Sequence, residues 1–436
     1  MSIFLSLLSW HTEMERSRRA FLCSLCTTVL AHRHVCGHSP MTTGMKNNHF
    51  IRQIEDCVPD SPSEEIEWKK IVPIFAPTCF SQMKTTRQNP AFHGEGDVFT
   101  HTQMVCRELV SMPEFHKLQK RQRTELFLAA VLHDIGKVKT TRRRYGEWVS
   151  PHHSSTGSQI VREFLWRDCG LCGSPDLISF RETVCALVRS HMLPVHLMDR
   201  NHPERLVRKT AAIGELAPDF SWKLLCILAE ADVRGRIADD IRAGVEKVQM
   251  ACLMAEEAGC CETPYPFSDS YSKHAYLSGR NVQPDQILYD DTWGKVIMLS
   301  GLPGTGKDTW IQRNHPELPV LSLDNLRAEL RISPHDNQGK LIQEARERAR
   351  TYLRMKQPFI WNATSLTDKT RQKNIALFER YGASVRIVYL ETDWQMRVER
   401  NRKRTNAVPE SKVGRMLAKT VPPAPDEARE VEWICV

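Results

Sequence analysis

No run in this chain is apolar for long enough to span a bilayer, which takes roughly 18–20 residues. Met1–Trp10 is the nearest approach to a targeting segment. It lacks the basic n-region and the small-residue cleavage site of a signal peptide. The 14 cysteines show no disulfide-framework spacing. Scattered thiols of that kind suit a reducing, cytoplasmic compartment. Between residues 91 and 260 strand patterns are almost missing as well.

What remains is ordinary globular material, with 41% hydrophobic and 26% charged residues over 436 positions, long enough for two or three domains. The net charge of +8 is unevenly spread. Residues 294–436 hold 25 Lys+Arg against 17 Asp+Glu, so the rest of the chain is close to neutral. A basic excess there fits either a polyanionic partner or simply the needs of an ATP site.

Residues 1–50 read as a disordered leader, or as a translated stretch ahead of a start near Met41 or Met45. Cys23, Cys26, His32, His34, Cys36 and His38 lie within it, but not at a zinc-finger spacing. Residues 51–260 form the first expected domain, with its core at 91–260. Apolar stripes such as Leu126, Leu128, Ala129, Val131 and Leu132, and Leu224, Leu225, Ile227 and Leu228, recur at helical spacing, so this domain is expected to be all-α. Pro264, Pro266 and Pro284 mark 261–293 as a linker. From 294 to 436 short apolar runs (296–300, 319–323, 359–361, 385–390) alternate with helical segments such as 337–355. That alternation predicts an α/β domain on a parallel sheet.

The first of these strands runs into Gly301-Leu-Pro-Gly304-Thr305-Gly306-Lys307-Asp308-Thr309. Glycines at this spacing let backbone N–H groups curl round phosphate oxygens, and Lys307 reaches the outer phosphates. ATP with Mg²⁺ is the implied ligand. Asp308 stands where a Ser or Thr usually holds the metal, and the hydroxyl comes one residue later at Thr309.

Residues 294–436 resemble polynucleotide 5′-kinases. Leu321-Ser-Leu-Asp324-Asn-Leu-Arg327, Trp361-Asn-Ala-Thr364 and the basic run from Arg397 to Arg404 carry the likeness. It implies Asp324 as general base on a 5′-hydroxyl, Arg327 on the substrate phosphate, and Arg404 as a lid arginine on the transferring phosphoryl group. A carboxylate within reach of the attacking hydroxyl is what phosphoryl transfer requires.

Phe99-Thr-His101, Val131-Leu-His133-Asp134-Ile-Gly-Lys137 and Glu230-Ala-Asp232 resemble the HD phosphohydrolase superfamily. Their imidazole and carboxylate groups suit Mn²⁺, Ni²⁺, Co²⁺ or Zn²⁺. The resemblance implies His101, His133, Asp134 and Asp232 as ligands, with His153 and His191 at positions that bind either a second metal, bridged by Asp134, or the phosphate. Lys137, one turn beyond His133, is read as facing the same way and holding a phosphate oxygen.

An HD module followed by such a kinase is similar to bacterial enzymes that heal broken nucleic-acid ends. That similarity implies removal of 2′, 3′ or 2′,3′-cyclic phosphate by the first domain and phosphorylation of 5′-hydroxyl ends by the second. RNA or DNA ends would be the substrates. No Lys-x-Asp-Gly adenylation motif occurs, so a separate RNA ligase would be the partner, and no membrane is involved. Two other readings stay open: a metabolite or nucleoside kinase fused to an HD nucleotidase, and a nucleotide-responsive HD sensor.

Overall fold

The computed structural model describes residues 43–333 and 337–436. The N-terminal cysteine and histidine cluster and the alternative start at Met41 lie outside the described residues. Lys46–Val436 form one compact unit.

The leader expected over 1–50 overlaps a helix, α1 (Thr43–Glu55), whose Phe50 and Ile54 are buried in the first core. Beyond it lie α2 (Val98–Ser111), α3 (Lys120–Leu132), α4 (His153–Glu163), α5 (Pro175–Ser190), α6 (Trp222–Arg234) and α7 (Ile241–Glu257). Local chemistry fixes where they begin. Asp97 caps α2 by accepting from the Thr100 N–H at 2.9 Å. Ser174 followed by Pro175 opens α5, and Ser221 caps α6 through the Leu224 N–H. Helix α3 carries apolar residues on every side from Leu126 to Leu132, and all of them are buried. It is the central post of the bundle, packed by α2, α5 and α6. Each fully buried Leu, Val or Phe contributes about 1.5–3 kcal/mol, so this post anchors whatever is attached to its end.

One departure from an all-helical domain is a small antiparallel hairpin, β1 (Arg142–Arg144) and β2 (Glu147–Val149), turning at Tyr145-Gly146. The segment read as a linker also carries a helix, α8 (Ser270–Leu277). Asp269 caps it, and Tyr276 and Leu277 are buried. Pro264, Pro266 and Pro284 lie outside helices and strands, and the Asp269-to-Ser272 cap starts the helix between them.

The C-terminal half is a five-stranded sheet with all pairings parallel. Its strands are β3 (Lys295–Ser300), β4 (Val320–Ser322), β5 (Phe359–Asn362), β6 (Ser384–Glu391) and β7 (Glu430–Cys435), in the order β4-β5-β3-β6-β7. Helices α9 (Lys307–Asn314), α10 (Leu323–Glu329), α11 (Gly339–Arg354), α12 (Asp368–Glu379), α13 (Trp394–Arg402) and α14 (Glu410–Leu417) connect them. Central β3 has five of its six residues buried. The loop that follows it therefore leaves a fixed platform. Among the described residues no helix is long and apolar enough to cross a membrane.

The two halves are sewn together. Trp166 and Cys172 from the helical half share a core with Leu302, Leu366, Tyr389, Val413 and Leu417 of the α/β half. Beside them Arg181 donates to both carboxylate oxygens of Glu391, at 2.7 and 2.9 Å, and both side chains are fully buried. Arg181 also stacks over Trp166.

Candidate active sites

Helix α3 stops at Leu132, and His133 and Asp134 occupy the turn that ends it. His101 reaches the same point from α2, and Asp232 from α6. His101 Nε2 lies 3.0 Å from Asp232 Oδ1 and 3.7 Å from Asp134 Oδ2. His133 Nε2 lies 3.4 Å from Asp134 Oδ2 and 3.8 Å from Asp232 Oδ1. All four residues are buried. His153 and His191 stand on the other side of Asp134, with Nε2 3.4 and 3.9 Å from Oδ1.

The outer ring nitrogens reveal what this cluster is built to hold. His133 Nδ1 faces the Ala130 carbonyl at 2.8 Å, His153 Nδ1 that of Ser150 at 2.9 Å, and His191 Nδ1 that of Val188 at 2.8 Å. His101 Nδ1 faces the Gly235 carbonyl at 3.1 Å and Glu95 at 3.0 Å. Carbonyls only accept, so each Nδ1 carries a proton and each Nε2 is turned inward, where it can bind a metal once it is unprotonated. Nε2 atoms face each other at 3.4 Å in two pairs, His101 with His133 and His153 with His191. Each such pair is held either by a proton shared between the rings or by a cation between them. Asp134 Oδ1 is also buried without a hydrogen-bond partner, which costs about 1–3 kcal/mol if nothing else binds it. The donor set fits a divalent transition metal. His101, His133, Asp134 and Asp232 would hold one ion, and the other oxygen of Asp134 with His153 and His191 a second.

Electrostatics agree. Burial drives the Asp134 carboxyl up, but Lys137 and His133 outweigh it and hold the group well below the usual range. Burial alone would push His101 down; Asp232 and Glu95 win and lift it to about 9. Without a metal, His101 is therefore a cation shared with Asp232, and a binding metal must displace its proton. Burial, with His133 and His153 nearby, pushes His191 down to about 3.

Lys137 does not follow the helical geometry expected of it, because the helix has already ended. It opens a separate turn, Lys137–Thr140, and its ammonium donates to Asp134 Oδ2 at 2.7 Å and to Gln88 Oε1 at 2.8 Å. It still faces the cluster. His152 is exposed and points to no shared site among the described residues.

Three residues near the cluster were missed in the sequence: Gln88, His93 and Glu95. Glu95 binds the Nδ1 atoms of His93 (2.8 Å) and His101, and accepts from the Ile237 N–H at 2.9 Å. It orients His101 in the way a second layer orients metal ligands. The segment has no periodicity, and only the spacing of His93-x-Glu95 shortly before His101 offered a signal.

At the other site Gly301, Gly304 and Gly306 all have positive φ, at 143°, 89° and 85°. A Cβ on Gly304 would meet the Arg397 carbonyl at 2.7 Å. Lys307 opens α9, whose first amides have no carbonyl a turn behind them. Its ammonium donates to the Gly301 and Leu302 carbonyls, both at 2.9 Å. Burial, helped by Arg404, lowers it to about 8. Thr305 turns inward and donates to the Leu302 carbonyl, whereas Asp308 and Thr309 are exposed on α9. Asn362, from the end of β5, donates to Asp308 at 2.7 Å, so the unusual aspartate is fixed in place.

Asp324 opens α10 beside the loop. Arg327 pairs with one of its oxygens at 2.5 Å and Arg404 with the other at 3.4 Å. Its charge acts on Lys307. The start of the basic run plays a different part from the rest. Arg397 is buried, stacks on Trp394 and pairs with Glu410, so it braces α13 against α14.

The fold and these sites define a class before any comparison: a helical metal-ligand bundle joined to a P-loop α/β domain. The HD domain model matches residues 98–219, and the AAA domain model matches residues 296–423. The chain thus carries an HD domain followed by a P-loop kinase-like domain, the pair expected of a fused hydrolase and kinase. No curated protein matches it.

Proposed function

We propose that this chain heals broken nucleic-acid ends. Its HD half removes 2′, 3′ or 2′,3′-cyclic phosphate, and its α/β half transfers phosphate from ATP to a 5′-hydroxyl. The carrying observation is Asp324, held between Arg327 and Arg404 at the phosphate loop, in the same compact unit as the four-histidine cluster. Asp324 would take the hydroxyl proton while Arg327 holds the substrate phosphate and Arg404 the charge on the moving phosphoryl group. Lys307 and the loop amides would hold the triphosphate, and Asp308 lies where it can assist Mg²⁺. In the HD half, His101, His133, Asp134 and Asp232, joined by His153 and His191, would hold Mn²⁺ or a similar ion. Such an ion lowers the pKa of bound water and polarises the phosphate. Lys137 keeps Asp134 ionised and stands ready to meet a phosphate oxygen.

A polynucleotide suits the site better than a mononucleotide because of the hairpin next to it. Arg142, Arg143 and Arg144 are largely exposed on β1, with Tyr145 at the tip 92% exposed. The hairpin joins the Lys137 turn to Ser150, whose carbonyl holds His153. Arginines with aromatic neighbours track a backbone and stack bases. A cytoplasmic location and a separate ligase go with this reading.

The test is a labelled oligonucleotide bearing a 5′-hydroxyl and a 3′-phosphate, with ATP and Mn²⁺, read by mass. The expected product has gained one phosphate and lost the other. Label on a free nucleoside but none on the oligonucleotide would replace this reading with a metabolite kinase. No phosphate release from wild type or Asp134→Ala would favour a sensor. Lys307→Ala should abolish phosphorylation and spare phosphate release, and His133→Ala should do the reverse.

A further inference from the structure

Away from both sites, a group of thiols converges on the edge of the helical half. Cys252 and Glu256 are four residues apart on α7, so they share a face. Cys261 follows in the loop beyond, which is pinned to α6 by the Lys223 N–H donating to the Cys261 carbonyl at 3.0 Å. One ligand atom from each of Cys252, Glu256 and Cys261 lies within 4.8 Å of the others. Cys226, buried on α6, brings its thiol against that of Cys252. All are free cysteines.

We propose that Cys226, Cys252, Glu256 and Cys261 form a site for a thiophilic divalent ion such as Zn²⁺. Sulfurs bound to tetrahedral zinc at about 2.3 Å stand roughly 3.8 Å apart. The ligand atoms of Cys252, Glu256 and Cys261, already within 4.8 Å of one another, need to close by only about an ångström, and Cys226 joins through its contact with Cys252. The chemistry differs from that of the HD cluster, which offers imidazole and carboxylate and no sulfur. Binding releases three thiol protons to solvent and changes no oxidation state. The site clips α7 and its trailing loop to α6, six residues before Asp232 on that same helix.

Cobalt separates this site from the HD cluster, because only thiolates give a strong near-ultraviolet charge-transfer band with Co²⁺, and the Cys252 and Cys261 variants separate it from the other thiols of the chain. Adding Co²⁺ to the reduced full-length protein should produce that band at one equivalent, and Zn²⁺ should displace it. Cys252→Ser and Cys261→Ser should abolish the band. Glu256→Ala removes an exposed side chain that the fold does not need, and should weaken cobalt binding at least tenfold. Absence of the band from reduced wild type overturns the proposal, as does its persistence in Cys252→Ser. A Cys252–Cys261 disulfide in the purified protein, with no metal uptake after reduction, overturns it too.

Discussion

Lys307 is a cation enclosed by its own loop, and burial has already weakened its hold on a proton. Its ordinary value is 10.5 and here it lies near 8. A triphosphate would restore the charge and raise the value again. Nucleotide binding without added magnesium should therefore take up close to one proton at pH 8.5 and almost none at pH 6.5. Calorimetry in two buffers of different ionisation enthalpy measures this, and Lys307→Ala should show no difference between pH values. The same group makes the free protein more stable as pH rises from about 8 towards 10.5, because only the unfolded chain keeps the proton through that window. Gly304→Ala places a Cβ 2.7 Å from a carbonyl at a φ of 89°. It should cost about 1–3 kcal/mol at the loop and lower kinase activity while phosphate release is kept. The loop glycines and Lys307 were legible because glycines at that spacing, in that strand-to-helix context, serve one purpose. Glu95 and Gln88 were not, since their partners His101 and Lys137 lie nearby only once a non-periodic loop has folded.

At the scale of elements, hydrophobic period was a sound guide wherever an element is buried on one face or all round. Helix α3, strand β3 and helix α11 (expected over 337–355, observed as Gly339–Arg354) all declare themselves in this way. Strand β7 went unread: Glu430-Val-Glu-Trp-Ile-Cys435 lies at the sheet edge and is only half-buried throughout. It pairs with β6 through contacts made possible by residues some 40 positions earlier. The hairpin β1–β2 was hidden for the opposite reason, having almost no buried residues to pattern. Its arginines give it a use that packing cannot explain. If the proposed end-healing function holds, replacing Arg142, Arg143 and Arg144 together by Ala should raise KM for 3′-phosphate oligonucleotides by about tenfold or more, since the hairpin would lose its three cations for phosphate. Turnover of a small aryl phosphate should not change, and the oligonucleotide effect should shrink as salt is raised. An equal loss on both substrates would mean that the hairpin supports His153 rather than a strand of nucleic acid.

At the scale of the molecule, the seam between the halves has a buried apolar cluster of its own. Trp166 lies within it, in the same cluster as Leu302, the residue that follows Gly301 in the phosphate loop. Arg181 and Glu391 meet across it with no exposure to water. Removing one member of a buried ion pair strands the other and costs about 3–5 kcal/mol. Glu391→Ala should therefore lower the urea midpoint of the whole unit in one transition, where independent halves would give two. Replacing Arg181 and Glu391 together by apolar residues should recover part of that loss. Linear sequence spaces these partners 210 positions apart, and neither carries a motif, so the seam was invisible before folding. Its consequence reaches into descent. A lineage that stops needing one of the two domains cannot simply delete it, because excision would bare Trp166 or the residues packed on it and part Arg181 from Glu391. Decay should instead erase ligands such as His133 or Lys307 first, leaving a silent passenger still welded to its working neighbour.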